Sequence, residues 1–361
     1  MRYLFFTNTP AHVHLYKHAV RRLTDAGHEV LILARDYGCT IDLLDYYELP
    51  YAMYGSCKPS KYSLFRRLPG HYARIFRYAR RFDPDLIFGL GSYAAHGSLF
   101  CRTQCILILD SEPTTFDHLA SRPFADVILT PSSFRKHLGR KHYEFDGFKE
   151  CAYLHPEVFS ADPSVRDELG LDGDEPFVLL RFNAFGSHHD LGHSGFPPER
   201  REELVDQLSS HATVFVSDEA GTFDFSSSAA RPYDIHPARL HDVLSEARLL
   251  VADTQTMVTE SALLGTPAVR SNSFVGERDM GNFHTLEEAG LIVNTPSFDD
   301  ALSVATELVS NPTVKAVWRE RRDAFIGDKT NLTEVIVDIA TSSGRVDTIG
   351  EVIPRISNIP G

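Results

Sequence analysis

Nowhere in this sequence do 18 apolar residues run together, so no segment has the length and hydrophobicity of a membrane-spanning helix. A signal-peptide pattern is equally lacking, because the chain goes straight into an alternating apolar strand at residues 3–7 (YLFFT). Both absences predict a cytosolic protein. Cysteine is sparse and odd in number: of the five (Cys39, Cys57, Cys101, Cys105 and Cys151), only Cys101 and Cys105 are close, and no second pair completes a zinc site. Reduced thiols are therefore expected, not a disulfide framework. Lysine is scarce too, with eight of the 36 basic residues and none between Lys149 and Lys315.

What is present belongs to a globular chain. Its 361 residues are 43% hydrophobic and 24% charged, enough for two cores of about 150 to 180 residues each. The net charge of −13 is uneven, because residues 1–160 hold 20 basic against 16 acidic side chains and residues 161–361 hold 16 against 33. The first part can favour an anionic surface and the second repels one, which argues against nucleic acid as a partner. An acidic, lysine-poor chain suits a salt-rich cytoplasm, and a GC-rich genome would give the same arginine bias.

Apolar strands alternate with helical patterns along the chain. Strands read at 3–7, 29–34, 85–90, 105–110 and 126–130, and the first helix reads at 13–26. The polar, proline-containing stretch 157–176 reads as a linker, after which strands recur at 177–182, 213–217, 248–253 and 267–271. Helices read at about 198–210, 237–246, 257–264 and 331–342. Strands apolar on both faces imply a parallel sheet covered by helices. The expected fold is α/β with two doubly wound Rossmann-like domains, 1–156 and 177–330, facing a shared cleft, followed by a C-terminal helix and tail at 331–361.

Ligands of such sheets bind beyond the carboxyl ends of the strands, which selects a few loops. In ADTQTMVTESALLGTPAV (252–269), a helix starting near Thr256 leaves N–H groups unpaired and able to hold a phosphate, and Glu260 one turn further could face a ribose diol. Helix capping by Thr254 or Thr256 accounts for the same residues. His12, after the first strand, is a candidate base for an acceptor hydroxyl or a plain helix-start residue; His14 packs on the new helix or joins it. Glu112 in DSEP is a second base or orienter, or a turn residue. Arg181 ends the strand FVLLRF, where it could neutralise a leaving diphosphate or pair at the surface. His188, His189, Asp190 and His193 crowd one Gly- and Ser-rich loop without helical register, which reads as a polar loop and not a metal site.

Residue strings carry a resemblance. DLIFGLGSYAAHG, CILILDSEP and ADVILTPSSF in the first half, with ADTQTMVTESALLGTPAV and ERDMGNFHTLEEAGLI in the second, resemble glycosyltransferases of the GT-B fold over 85–138 and 248–291. They are most similar to the N-acetylglucosaminyltransferase family that completes the lipid-linked muropeptide precursor. The non-hydrolysing UDP-N-acetylglucosamine 2-epimerases are similar in the second domain, and an uncharacterised, mainly archaeal set shares the PAHVH loop. The resemblance implies a nucleotide-sugar donor, UDP-linked, on His188, Thr254, Gln255, Thr256, Met257, Glu260, Asn282 and Arg181, with no cofactor and no metal. It places His12 on the family histidine and puts His14, Gly91, Tyr93 and His96 on the acceptor side. Two departures are visible: the family's glycine-rich first loop is TNTP here, and the epimerases' His-Arg signature is replaced by RFNAFGSHH.

Residues 58–82 hold eight Lys or Arg and no acid, interleaved with aromatics. A sheet-covering helix explains the apolar stripe of Tyr72, Ile75, Phe76, Ala79 and Phe82. Attraction to anionic lipid or to a phosphate-bearing, lipid-linked acceptor explains the missing acids, and implies a peripheral place at the inner membrane face. The expected activity is glycosyl transfer in glycan or glycolipid biosynthesis, with 2-epimerisation or silent nucleotide-sugar binding as the alternatives.

Overall fold

The computed structural model describes residues 1–57, 61–184, 194–277 and 279–355, with side chains from residue 66 onward in the second stretch. The chain forms two compact units, Met1–Val158 with Lys329–Gly361, and Phe159–Asp328. Each is a parallel sheet with helices.

Unit 1 contains β1 (Arg2–Thr7), β2 (Glu29–Asp36), β3 (Tyr51–Ser56), β4 (Leu86–Gly89), β5 (Gln104–Ile108), β6 (Val127–Pro131) and β7 (His142–Phe145). Unit 2 contains β8 (Phe177–Phe182), β9 (Thr213–Asp218), β10 (Arg231–Pro232), β11 (Leu249–Ala252), β12 (Ala268–Arg270) and β13 (Ile292–Asn294). A final strand, β14 (Val352–Pro354), returns to unit 1 and pairs antiparallel with β7. The sheet orders are β14-β7-β6-β5-β4-β1-β2-β3 and β10-β9-β8-β11-β12-β13. Aside from β14 every pairing is parallel, as strands such as β1 (RYLFFT) and β8 (FVLLRF), whose residues are almost all buried, require.

Helices of unit 1 are α1 (Pro10–Asp25), α2 (Thr40–Tyr46), α3 (Lys61–Phe82), α4 (Ser92–Cys101), α5 (Thr115–Ser121) and α6 (Cys151–Leu154). Unit 2 adds α7 (Val165–Glu168), α8 (Arg201–Ser209), α9 (Leu240–Glu246), α10 (Thr256–Leu263), α11 (Gly281–Glu288), α12 (Phe298–Ser310) and α13 (Val314–Ile326). From Phe159 the polar stretch before β8 packs on unit 2 through the buried Val165, Leu169 and Leu171. The last helix, α14 (Leu332–Thr341), lies on unit 1, where Tyr3 donates from its hydroxyl to the Ala340 carbonyl at 3.0 Å and Arg22 pairs with Glu334. Among the described residues no helix is long and apolar enough to cross a membrane.

The strand orders fix where ligands can be held. In unit 1 the order reverses between β1 and β4, so the loops at 8–9 and 90–91 flank the switch point; in unit 2 it reverses between β8 and β11, ahead of Asn183 and Asp253. Close backbone approach at the first of these needs Gly89: a Cβ there would lie 2.2 Å from the Ala94 Cβ and 3.3 Å from the Phe6 Cβ. Gly89→Ala should therefore destabilise unit 1 by about 1–3 kcal/mol, read as a lower urea midpoint. An unchanged midpoint would mean that α4 yields freely.

Candidate functional site

In unit 1 the loop after β1 is built around Asn8. Its carbonyl accepts from Arg35 Nε and Nη2 at 3.1 and 2.9 Å, and its Oδ1 accepts from the Tyr54 hydroxyl at 2.7 Å. Its backbone N–H donates to His12 Nδ1 at 3.2 Å. An amide nitrogen can only donate, so Nδ1 is bare and the neutral ring carries its proton on Nε2. Burial, then the charges of Lys149 and Arg35, push the His12 pKa well below its ordinary value. His12 is thereby a neutral imidazole with an N–H to offer. The base role expected from the sequence would require it to give up the bond to Asn8.

His14 is buried on α1, its ring 5.9 Å from Tyr47 and 5.4 Å from Tyr153. It belongs to an aromatic pocket that also holds Lys17, whose Nζ is 4.7 Å from the Tyr47 centroid. Of the two readings of His14, these contacts are those of packing.

The glycine loop before α4 is occupied by a carboxylate that sequence reasoning missed. Gly91 has φ 108°, and a Cβ on it would lie 2.1 Å from Asp117 Oδ2. Asp117 Oδ1 accepts from Ser92 N at 3.2 Å and from the Ser92 hydroxyl at 2.5 Å. Acidic charge at a helix N-terminus is favourable, and here the protein supplies its own. Two further acceptor-side candidates are also engaged. The Tyr93 hydroxyl meets His71 Nδ1 at 3.0 Å. His96 Nε2 lies 3.0 Å from the Ala120 carbonyl, which makes it the donor and leaves Nδ1 to accept from the Tyr72 hydroxyl at 2.7 Å. Glu112 holds its own loop: Oε1 accepts from Arg135 N at 3.2 Å, and its carbonyl accepts from Lys136 Nζ at 2.5 Å. Nearby, buried Lys149 pairs with Asp110 at 2.5 Å and Glu150 at 3.6 Å.

In unit 2 the switch point is closed by Asp253. Its Oδ1 accepts from Asn183 N at 2.7 Å and its Oδ2 from Phe196 N at 3.1 Å, so one carboxylate ties both sides of the loop that follows β8. Burial raises its pKa to about 6 against the pull of those two N–H groups. The cluster His188, His189, Asp190 and His193 falls outside the described residues, and among the described residues no group of three or more ligating side chains could hold a metal.

Immediately after Asp253 comes α10. No side chain caps it from Gln255, and the N–H groups of Thr256 and Met257 have no intrahelical acceptor. Thr254 Oγ1 is buried without a hydrogen-bond partner. So is Asn282 Oδ1, while Asn282 Nδ2 donates to Thr259 Oγ1 at 3.4 Å. Glu260 is buried, and its Oε1 lies 3.0 Å from Nε2 of the buried His241 on α9, a partner the sequence did not disclose. Arg181 is turned aside: Nη1 donates to Ser217 Oγ at 2.7 Å and Nη2 pairs with Glu219 at 3.1 Å. The loop leading to Asn282 is anchored by Arg270, which is fully buried, pairs with Asp279 at 2.5 Å and lies 3.6 Å over the Phe283 ring.

No family model matches the chain. An uncharacterised protein of Methanocaldococcus jannaschii is 24% identical over 279 residues, 73% of this chain and 79% of that protein. Among solved structures, spinosyn forosaminyltransferase is similar with a TM-score of 0.66 at 13% identity, covering 95% of this chain and 99% of its own. The UDP-GlcNAc 2-epimerase of Methanocaldococcus jannaschii has a TM-score of 0.65 at 14% identity, over 95% of this chain and all of its own. The epimerase of Neisseria meningitidis, solved bound to UDP-GlcNAc, has a TM-score of 0.62 at 11% identity and covers 95% and 99%. The fold is that of GT-B glycosyltransferases and of UDP-GlcNAc 2-epimerases.

The Asp253 clamp makes a pH-dependent prediction. Its carboxyl goes from an ordinary value of 3.8 to about 6 in the folded state, so the folded protein binds its proton more tightly. Stability from this group is present below about pH 4 and is lost as pH rises to about 6. Asp253→Asn should flatten that slope while giving up one of the two backbone hydrogen bonds, at a cost of about 1–3 kcal/mol at low pH. Urea denaturation of both proteins across this range checks it, and identical slopes would return Asp253 to an ordinary solvated acid.

Proposed function

We propose that the chain is a glycosyltransferase taking a nucleotide-linked sugar, UDP-linked, on unit 2 and an acceptor on unit 1. The observation that carries this reading is the start of α10, where an uncapped helix end stands beside the unpartnered oxygens of Thr254 and Asn282. Unpaired N–H groups and the helix dipole receive a diphosphate without any basic side chain, consistent with Arg181 being paired to Glu219. Glu260, held by His241, is the carboxylate for the ribose diol. On unit 1, His12 would donate from Nε2 to an oxygen of the reacting group, with burial and then Lys149 and Arg35 keeping the ring neutral. His96, Tyr93 and Glu112 shape that side through the bonds they make and stay out of the chemistry.

A 2-epimerase is the second reading, favoured by the similarity of the whole chain to epimerases as well as transferases. It uses the same donor half-site and needs no acceptor. Incubation with a panel of nucleotide sugars separates the two: acceptor-dependent release of nucleotide supports transfer, and an isomerised sugar supports epimerisation. Glu260→Ala should weaken UDP binding by about 1–3 kcal/mol in calorimetry, with the fold intact. Unchanged affinity would sink the ribose assignment.

The acceptor would be lipid-linked, reached from a peripheral position. Helix α3 supports this with exposed Arg66, Arg77, Arg80 and Arg81, next to exposed Phe76. That exposure corrects the sequence expectation that Phe76 lies in the buried stripe with Ile75 and Ala79. The neighbouring α4 and α5 add exposed apolar residues, Leu99, Phe116 at 85% and Leu119 at 61%. Aromatic and aliphatic groups ringed by arginine suit an anionic lipid surface, each cation adding about 1 kcal/mol at low salt. Phe116→Ser with Leu119→Ser should reduce flotation with vesicles containing anionic lipid, and Arg77→Gln with Arg80→Gln should make the remainder less salt-sensitive. Wild-type partitioning by both double variants would reduce α3 and α5 to solvated faces.

A further inference from the structure

Three arginines gather at the end of β3, where Asp36 is in register with Ser56 but pairs with none of them among the described residues. Arg67 Nη1 donates to the Ser56 hydroxyl at 2.8 Å and to the Ser56 carbonyl at 3.3 Å, and Arg74 Nη1 donates to the Tyr54 carbonyl at 3.3 Å. These arginines are seven residues apart on one face of α3 and cover alternate carbonyls of the sheet's edge strand. Arg35, in register with Gly55 on the neighbouring strand, spends Nε and Nη2 on the single carbonyl of Asn8. Among the described residues none of the three is ion-paired; the ion pairs of unit 1 use Arg2, Arg22, Lys149, His155, Lys329 and Arg355 instead.

His71 stands in the middle of them and reports their field. It is buried against Gly55, where a Cβ would come within 2.2 Å of its Cδ2, and its Nδ1 faces the Tyr93 hydroxyl. Burial first, then Arg35, and further Arg74 and Arg67, lower its pKa, against a hydrogen bond that the ring donates to the Ser56 backbone carbonyl, which raises it. The histidine is thus neutral and adds nothing to the charge, which belongs to the guanidinium groups. Each arginine has five N–H donors; Arg67 and Arg74 use one nitrogen apiece, while Arg35 spends two on the Asn8 carbonyl and also bonds the Tyr93 hydroxyl. Unspent, forked donors on three uncompensated cations match the oxygens of a phosphoryl group better than any neutral ligand.

We infer that Arg35, Arg67 and Arg74 form a phosphate site on unit 1, separate from the start of α10 on unit 2, that takes the terminal phosphoryl group of a phosphomonoester or diphosphate. The neutral His71 and the Tyr93 hydroxyl line its floor. The site lies on the unit to which the proposed function gives the acceptor, and it stands whether or not that reading holds. It also divides the arginines of α3 by duty, because Arg67 and Arg74 serve this site while Arg66, Arg77, Arg80 and Arg81 remain on the outer surface.

Calorimetric titration of the full chain with inorganic pyrophosphate, in the presence of saturating UDP, tests the site apart from the donor. Wild type should bind, and Arg67→Gln and Arg74→Gln should each weaken binding at least tenfold, with UDP affinity measured separately and unchanged. Arg35→Gln also loosens Asn8, so Arg35→Lys, which keeps the charge and loses the fork, should give an intermediate loss. Pyrophosphate should in addition slow alkylation of the adjacent Cys57 in the wild type, with Cys39 and Cys101 unaffected, a measurement that needs no variant. Phosphatidylcholine vesicles doped with phosphatidic acid identify the source: loss of vesicle binding by Arg67→Gln and Arg74→Gln places the phosphate on a lipid, and its retention places it on a soluble ligand. Absence of pyrophosphate binding in the wild type, or equal binding by the glutamine variants, would overturn the site, whatever UDP does.

Discussion

A single carboxylate, that of Asp253, joins the two sides of the switch point in unit 2 by accepting the backbone N–H groups of Asn183 and Phe196. Parallel strands bury both faces, so their carboxyl ends are where unpaired backbone donors and ligands compete for the same space. This chain settles the competition with its own acids at two places, Asp253 after β11 and Asp117 across the loop after β4. The start of α10 is left without such an acid, which is why the proposed function puts its anion there. An identical helix end closed by an aspartate, as at α4, would offer a phosphate nothing.

How much was legible follows from the distance between partners. Strands such as β1, β5, β8 and β11 each hold a run of three or more apolar residues and are readable from that run alone. β3 (YAMYGS) is a half-exposed edge strand, and β10, β13 and β14 are two or three residues long, so none of them produces an apolar run. The loops that matter were legible because topology places them. Their chemistry was not. Nothing near Glu260 announces His241, 19 residues away, and nothing near Ser92 announces Asp117. Likewise Arg181 looks free in FVLLRF until β9 brings Ser217 and Glu219 beside it.

His12 shows a subtler limit. Position and residue type both suggested a base, and the loop that supplies the position also removes the lone pair, since the Asn8 amide can only donate. One hydrogen bond, between residues four apart in sequence, leaves the neutral ring with its N–H on Nε2. The basic helix α3 poses the reverse case. Its sequence reads as one charged run, whereas the fold divides it between a pair, Arg67 and the still exposed Arg74, that bonds to carbonyls of an edge strand and a set that bonds to no such carbonyl.

The buried pair of Arg270 and Asp279 has a consequence for inheritance. With Arg270 sealed under Phe283, loss of either partner alone strands a charge in the interior, at a cost of about 3–5 kcal/mol. Neither position can drift by itself. Descendants of this chain that keep its stability are expected to keep both residues or exchange both together, with Asn282 following Asp279 at the start of α11.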